Sequence, residues 1–157
     1  MILIIGYGNP LRSDDSIGQH VAQAMQQLLQ HTRLQVHITY QLVPELVSLI
    51  SRAEIVVFID AQIGSSPGEV IHQIVAPEAS IGSLTHHVSP ATLLSAAWEL
   101  YGKAPRGILI SITGADFDYG CELSVQLRQK LPTIADQVKA IIESSAKVHV
   151  YEENDHA

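Results

Sequence analysis

Three groups of side chains in this sequence could do chemistry together: the adjacent carboxylates Asp14 and Asp15, the carboxylate Asp60, and the tandem imidazoles His86 and His87. Two carboxylates and one imidazole make an oxygen, oxygen, nitrogen donor set. Such a set suits zinc, nickel, iron or manganese and leaves positions open for water or substrate. Each group also has a plainer reading. An Asp at a helix start accepts a free backbone N–H, so one of Asp14 and Asp15 can be a cap, but two adjacent acids exceed what a cap needs. Asp60 closes the apolar run Ile55, Val56, Val57, Phe58, Ile59. A carboxylate there is costly without a partner or cation, unless it is a turn residue. Histidines are common in surface loops, and His86 and His87 gain weight only in company with the acids. No other hydrolytic pattern competes: there is no His-Glu-x-x-His helix, no Gly-x-Ser-x-Gly elbow, and Cys121 has no visible His partner.

These residues need a scaffold that brings three distant stretches to one place. Apolar runs alternate with helical patterns along the chain, which is the mark of βαβ units around a parallel sheet. Residues 2–5 read as a buried strand ended by Gly6 and Gly8, and Ile17, Val21, Met25, Leu28 and Leu29 then follow helical spacing. Residues 34–40 alternate as a half-exposed strand, Pro44 opens a short helix, and residues 55–59 form the most hydrophobic strand, hence a central one. Residues 69–75 read as an edge strand. Ser89 and Pro90 start a helix that Gly102 closes, residues 108–112 form a further strand, and residues 124–143 are helical with Pro132 dividing them. In a parallel sheet all carboxyl ends share one rim, so the segments after strands one, three and four are expected to bring Asp14 and Asp15, Asp60, and His86 and His87 together.

Composition narrows the partners. The 157 residues suit one domain, residues 1–147, followed by a polar tail, 148–157, expected to fray. A net charge of −7 argues against nucleic acid, which calls for a basic face. The apolar runs are strand-length, too short to span a bilayer, and a single cysteine points to no oxidising compartment, so a cytoplasmic protein is expected. A dinucleotide fingerprint is tempting at Gly6-x-Gly8, but the third glycine position is Leu11 and the second strand ends near Tyr40 and Gln41 without an acid for the ribose.

The stretches Gly6-Tyr-Gly-Asn-Pro-Leu-Arg-Ser-Asp-Asp-Ser-Ile-Gly18, Ile55-Val-Val-Phe-Ile-Asp-Ala61 and Leu84-Thr-His-His-Val-Ser-Pro90 resemble, in order, three motifs of the hydrogenase maturation protease family. These are nickel-dependent endopeptidases that trim the C-terminus of the nickel–iron hydrogenase large subunit. The resemblance implies a three-layer α/β/α domain with a twisted, mostly parallel sheet of about five strands. It places the family's metal-binding acid on Asp15, its strand-end Asp on Asp60 and its loop His on His86, with His87 as the alternative; these would be both metal ligands and catalytic residues. Two departures stand out: Asp15 replaces a commoner Glu, and Ser16 stands where Gly usually follows. The implied partner is the large-subunit precursor, and the implied metal is nickel borne by that substrate, with zinc or cadmium able to occupy the site; a monomer is expected. A non-catalytic nickel-binding checkpoint module would use the same ligands, and a nucleotide-binding domain is the remaining alternative.

Overall fold

Strand β1 (Ile2–Tyr7) is apolar on both faces and lies between two parallel neighbours, β2 (Leu34–Thr39) and β3 (Ile55–Gln62). The structure is a computed structural model that describes residues 1–30, 33–77 and 88–154, with side chains through 147. Strand β5 (Arg106–Thr113) adds in parallel to β3, and β4 (Val70–Val75) closes that edge, giving the order β2-β1-β3-β5-β4. Period-two alternation assigns the side chains to layers. Ile2, Ile4, Ile55, Val57 and Ile59 pack beneath helices α1 (Ile17–Leu28) and α4 (Val125–Asn154). Leu3, Ile5, Val56 and Phe58 pack beneath α2 (Val47–Ile50) and α3 (Pro90–Tyr101). Phe58 is fully buried, as are Leu3 and Leu94, and each such side chain contributes about 1.5–3 kcal/mol of transfer free energy. The expected three-layer sandwich around a five-stranded, mostly parallel sheet is the one observed.

One strand departs from the expected arrangement. β4 runs antiparallel to β5, with Val70 opposite Ile112 and Val75 opposite Gly107, so its carboxyl end points to the rim opposite those of β1 and β3. The cause is connection length. A parallel return needs a crossover of about a dozen residues or more, and residues 63–69 are too few to supply one. The expectation that strand four delivers the His86–His87 loop directly to the common rim is therefore corrected. The chain leaves β4 at the far rim and is back at the near rim by Val88, just before the cap of α3.

α3 starts and stops as its sequence predicts: Ser89 and Thr92 form a reciprocal capping box, Pro90 sits in the first turn, and Gly102 closes the helix. α4 does not. It continues through Pro132 as one helix and runs to Asn154, into the stretch read as a tail. Apolar side chains on both sides of Pro132, Leu127 before it and Ile134, Ala135 and Val138 after it, are buried in one core and hold the axis together. Pro132 itself is exposed and leaves the Arg128 carbonyl without its helical N–H. Pro132→Ala is expected to raise stability by about 1–2 kcal/mol, measured as a higher urea midpoint at unchanged slope. No helix among the described residues is long and apolar enough to cross a membrane.

Candidate functional site

The sheet order reverses direction at β1: the chain passes from β1 to β2 on one side and then to β3 on the other. The crevice outside the carboxyl ends of β1 and β3 is where such sheets bind ligands. Close backbone approach shapes it. Gly8 has φ +147°, and a Cβ there would stand 1.8 Å from the Asp15 carbonyl oxygen; one on Gly18 would stand 2.2 Å from that of Ile59. Only glycine lets the loop fold back on itself and lets α1 press onto β3. Asn9 then sets the loop, its side chain accepting from the Leu11 amide at 2.8 Å while its own N–H donates to Asp15 Oδ2 at 2.7 Å. The Gln19 amide ties α1 to the carbonyls of Gly8 and Thr39 at 3.0 and 2.7 Å.

The adjacent acids have separate tasks, and neither is a helix cap. Both lie in the 3-10 turn Ser13–Ser16 that precedes α1, and no side chain caps either helical segment. Asp14 is completely buried. Its Oδ2 accepts from the amides of Ala115 and Asp116 at 2.8 and 3.0 Å, and its Oδ1 accepts from that of Ser124 at 2.7 Å. It thus pins the loop that follows β5 to the loop that follows β1. The Ser13 amide to Gly120 carbonyl and Ser13 Oγ to Asp118 carbonyl bonds, both 2.9 Å, reinforce this seam. Asp15, half-buried, turns the other way and lines the cleft.

Asp60 lines the same cleft from β3. The strand runs to Gln62, so Asp60 is not its last residue, but β1 pairs only as far as Ile59, and Asp60 stands just past that pairing. Burial pushes its carboxyl up to about 6 from an ordinary 3.8, and the negative charge of Asp15 adds to the rise. The neighbouring Tyr7 hydroxyl and a hydrogen bond from the Ala61 amide, at 2.8 Å, work against it. The Tyr7 hydroxyl is itself held far above its usual range, by burial first and by the Asp60 charge second. Among the described residues neither Asp15 nor Asp60 forms an ion pair with a Lys or Arg. The cleft has a volume of about 540 Å³, and Tyr7, Gly8, Tyr40, Val88, Ser89 and Pro90 line it together with the two acids. The amino end of α3, with its partial positive charge, therefore opens beside the two carboxylates.

Of the predicted site residues, the structure brings Asp15 and Asp60 to one cleft, while His86 and His87 lie outside the described residues. Among the described residues no three His, Cys, Asp or Glu side chains form a metal-binding group. Tyr7 was not singled out in the sequence. The available signal was a large hydroxylated residue between two glycines at the end of an apolar run. Cys121 is exposed on the loop between β5 and α4. A second cavity, of about 320 Å³ between Ile2, Leu34 and Ile142, opens at the opposite end of β1 and contains neither acid.

No protein-family model matches the sequence, and no curated protein sequence matches it significantly. Solved structures do. The hydrogenase maturating endopeptidase HybD from Escherichia coli superposes with a TM-score of 0.69 at 22% identity, over 92% of this chain and 93% of that one. The nickel–iron hydrogenase maturation protease HycI from Thermococcus kodakarensis gives 0.68 at 24%, over 90% and 92%. A hydrogenase 2 maturation peptidase from a Thaumarchaeota archaeon gives 0.60 at 20%, over 90% and 97%. Over nearly its whole length, then, this chain has the fold of the hydrogenase maturation endopeptidases.

Proposed function

We propose that this protein is a nickel-dependent endopeptidase that removes the C-terminal extension of a nickel–iron hydrogenase large-subunit precursor after metal insertion. One observation carries the reading: Asp15 and Asp60, the two acids matching the family's motifs, share a cleft at the carboxyl ends of β1 and β3. The shared fold with proteins named as hydrogenase maturation endopeptidases supports it. The cleft's chemistry fits a cation. Two half-buried carboxylates in one cleft, that of Asp60 raised to about 6, have no basic partner among the described residues, and a divalent ion would balance both charges. Asp15, Asp60 and His86, or His87 in its place, would be the ligands. Bound nickel supplies a Lewis acid for the scissile carbonyl or an activated water.

The remaining residues shape the approach of a polypeptide. Each of the four parallel strands is followed by an exposed large apolar side chain: Leu11 after β1, Tyr40 after β2, Ile63 after β3 and Tyr119 after β5. Exposed apolar groups on the site's own rim favour a protein substrate over a small polar one. Three protein ligands without a thiolate hold metal weakly, so nickel arrives with the precursor, whose own groups complete its coordination. The enzyme acts as a cytoplasmic monomer.

The test is incubation with nickel-loaded and nickel-free precursor, followed by mass spectrometry of the released peptide. The nickel-loaded form is expected to lose its extension and the nickel-free form to stay intact. Binding of loaded precursor without release would identify a non-catalytic checkpoint module instead. Efficient cutting of nickel-free precursor would overturn the role of nickel.

A further inference from the structure

We propose that Asn9 is a positioning residue for the metal site: its side chain closes the turn that brings its own backbone amide to Asp15, fixing that carboxylate before a divalent ion arrives. The inference rests on the metal reading above. Residues 9–12 read Asn-Pro-Leu-Arg, a pattern that favours a tight turn with asparagine first and proline second. The turn forms as those residues direct. The Arg12 amide donates to the Asn9 carbonyl at 3.1 Å, and the Leu11 amide donates to Asn9 Oδ1 at 2.8 Å. Both oxygens of Asn9 are thus engaged inside the turn, while its amide reaches out of it. That amide donates to Asp15 Oδ2 at 2.7 Å, a short bond to a charged acceptor.

The surrounding loops hold both ends of this bond. The Gly120 amide donates to the Leu11 carbonyl at 3.0 Å and the Ser13 amide to the Gly120 carbonyl at 2.9 Å, so the turn is tied to the loop after β5. The Asp15 amide donates to the Arg12 carbonyl at 3.1 Å, and the Asp15 carbonyl packs so closely on Gly8 that no Cβ fits between them. With the backbone fixed at both ends, the Asn9 turn decides where the Asp15 carboxylate rests. Among the described residues Asp15 Oδ1 accepts no hydrogen bond, so with Oδ2 held by the amide it is the oxygen left for a cation. The bond is made without metal, and the entropy of fixing the ligand is lost during folding rather than during binding. Hydrogen-bond partners of metal-ligating side chains are worth about 10–100-fold in affinity.

Calorimetric titration of the full chain with nickel chloride tests this, with Asn9→Ala and Asn9→Asp as variants and Asp15→Asn as the control. Asn9→Ala keeps the backbone amide but removes the acceptor that closes the turn, so nickel affinity is expected to fall about tenfold. Asn9→Asp keeps the acceptor and should bind nickel at least as tightly as the wild type. Hydrogen exchange of the metal-free protein separates this rescue from the effect of the added charge. The backbone amide at position 9 should be protected in the wild type and in Asn9→Asp, and should exchange faster in Asn9→Ala. Wild-type affinity in Asn9→Ala, or an equal loss in Asn9→Asp, together with loss of binding in Asp15→Asn, would overturn the role of Asn9 and leave the metal site standing. Absence of saturable nickel binding in the wild type, or unchanged binding in Asp15→Asn, would overturn both.

Discussion

Asp60→Asn is expected to abolish nickel binding and precursor cleavage while making the protein more stable at neutral pH. The loss of function follows from removing one of the two carboxylates that face the cleft. The gain in stability follows from linkage. Folding raises the Asp60 carboxyl from 3.8 to about 6, so the folded state binds its proton more tightly than the unfolded state does. Its favourable contribution is full below about pH 4 and is lost as pH rises through about 6, so at pH 7 the wild type carries a buried charge that asparagine does not. Two pH units correspond to at most about 3 kcal/mol, and solvent screening at the open cleft reduces this to about 1–2 kcal/mol. The melting temperature of Asp60→Asn should exceed that of the wild type by about 2–6 °C at pH 7, and the difference should vanish near pH 4. Asp15→Asn should lose nickel and cleavage equally, because it removes the other carboxylate. Calorimetric melts at both pH values and a nickel titration check all three results, and full cleavage by Asp60→Asn would remove the acid from any metal role.

The neighbouring acid is expected to behave in the opposite way. Asp14 is completely buried and accepts three backbone N–H groups from Ala115, Asp116 and Ser124. Asp14→Ala strands all three donors and opens a cavity beneath the loop, at a cost of about 3–5 kcal/mol. Asp14→Asn keeps the size but turns an NH₂ group toward donors, so it should recover only part of the loss. Urea unfolding measures the total. Hydrogen exchange locates it, since the amides of Ala115, Asp116 and Ser124 should lose protection before the β1 and β3 amides do. A cost below about 1 kcal/mol would show that the loop after β5 is held by other contacts.

Much of this protein is written in short-range patterns. The buried runs of β1 and β3 mark them as central strands, since both faces must be covered by helices. Ser89, Pro90 and Gly102 bound α3 through interactions with their own backbone neighbours, and those need no distant partner. Parallel strands also imply a shared rim, which is why Asp15 and Asp60 could be expected in one place. The length of the 63–69 connection even contained the direction of β4, although the alternation of residues 69–75 alone is the same in either direction.

What the tertiary structure decided depends on residues far apart in the chain. Asp14 and Asp15 are chemically identical neighbours, and only the amides that arrive from residues 115–124 make one an internal anchor and leave the other facing the cleft. Tyr7 comes to line the cleft with Asp60 only because the β1–β3 register sets the two side by side. Pro132 should interrupt a helix by local rules, but buried side chains on both sides of it hold α4 in one piece. Periodicity and caps are properties of a few consecutive residues and survive in the sequence. The protonation of a carboxylate, the lining of a cleft and the continuity of a strained helix are set by contacts that exist only once the chain has closed on itself.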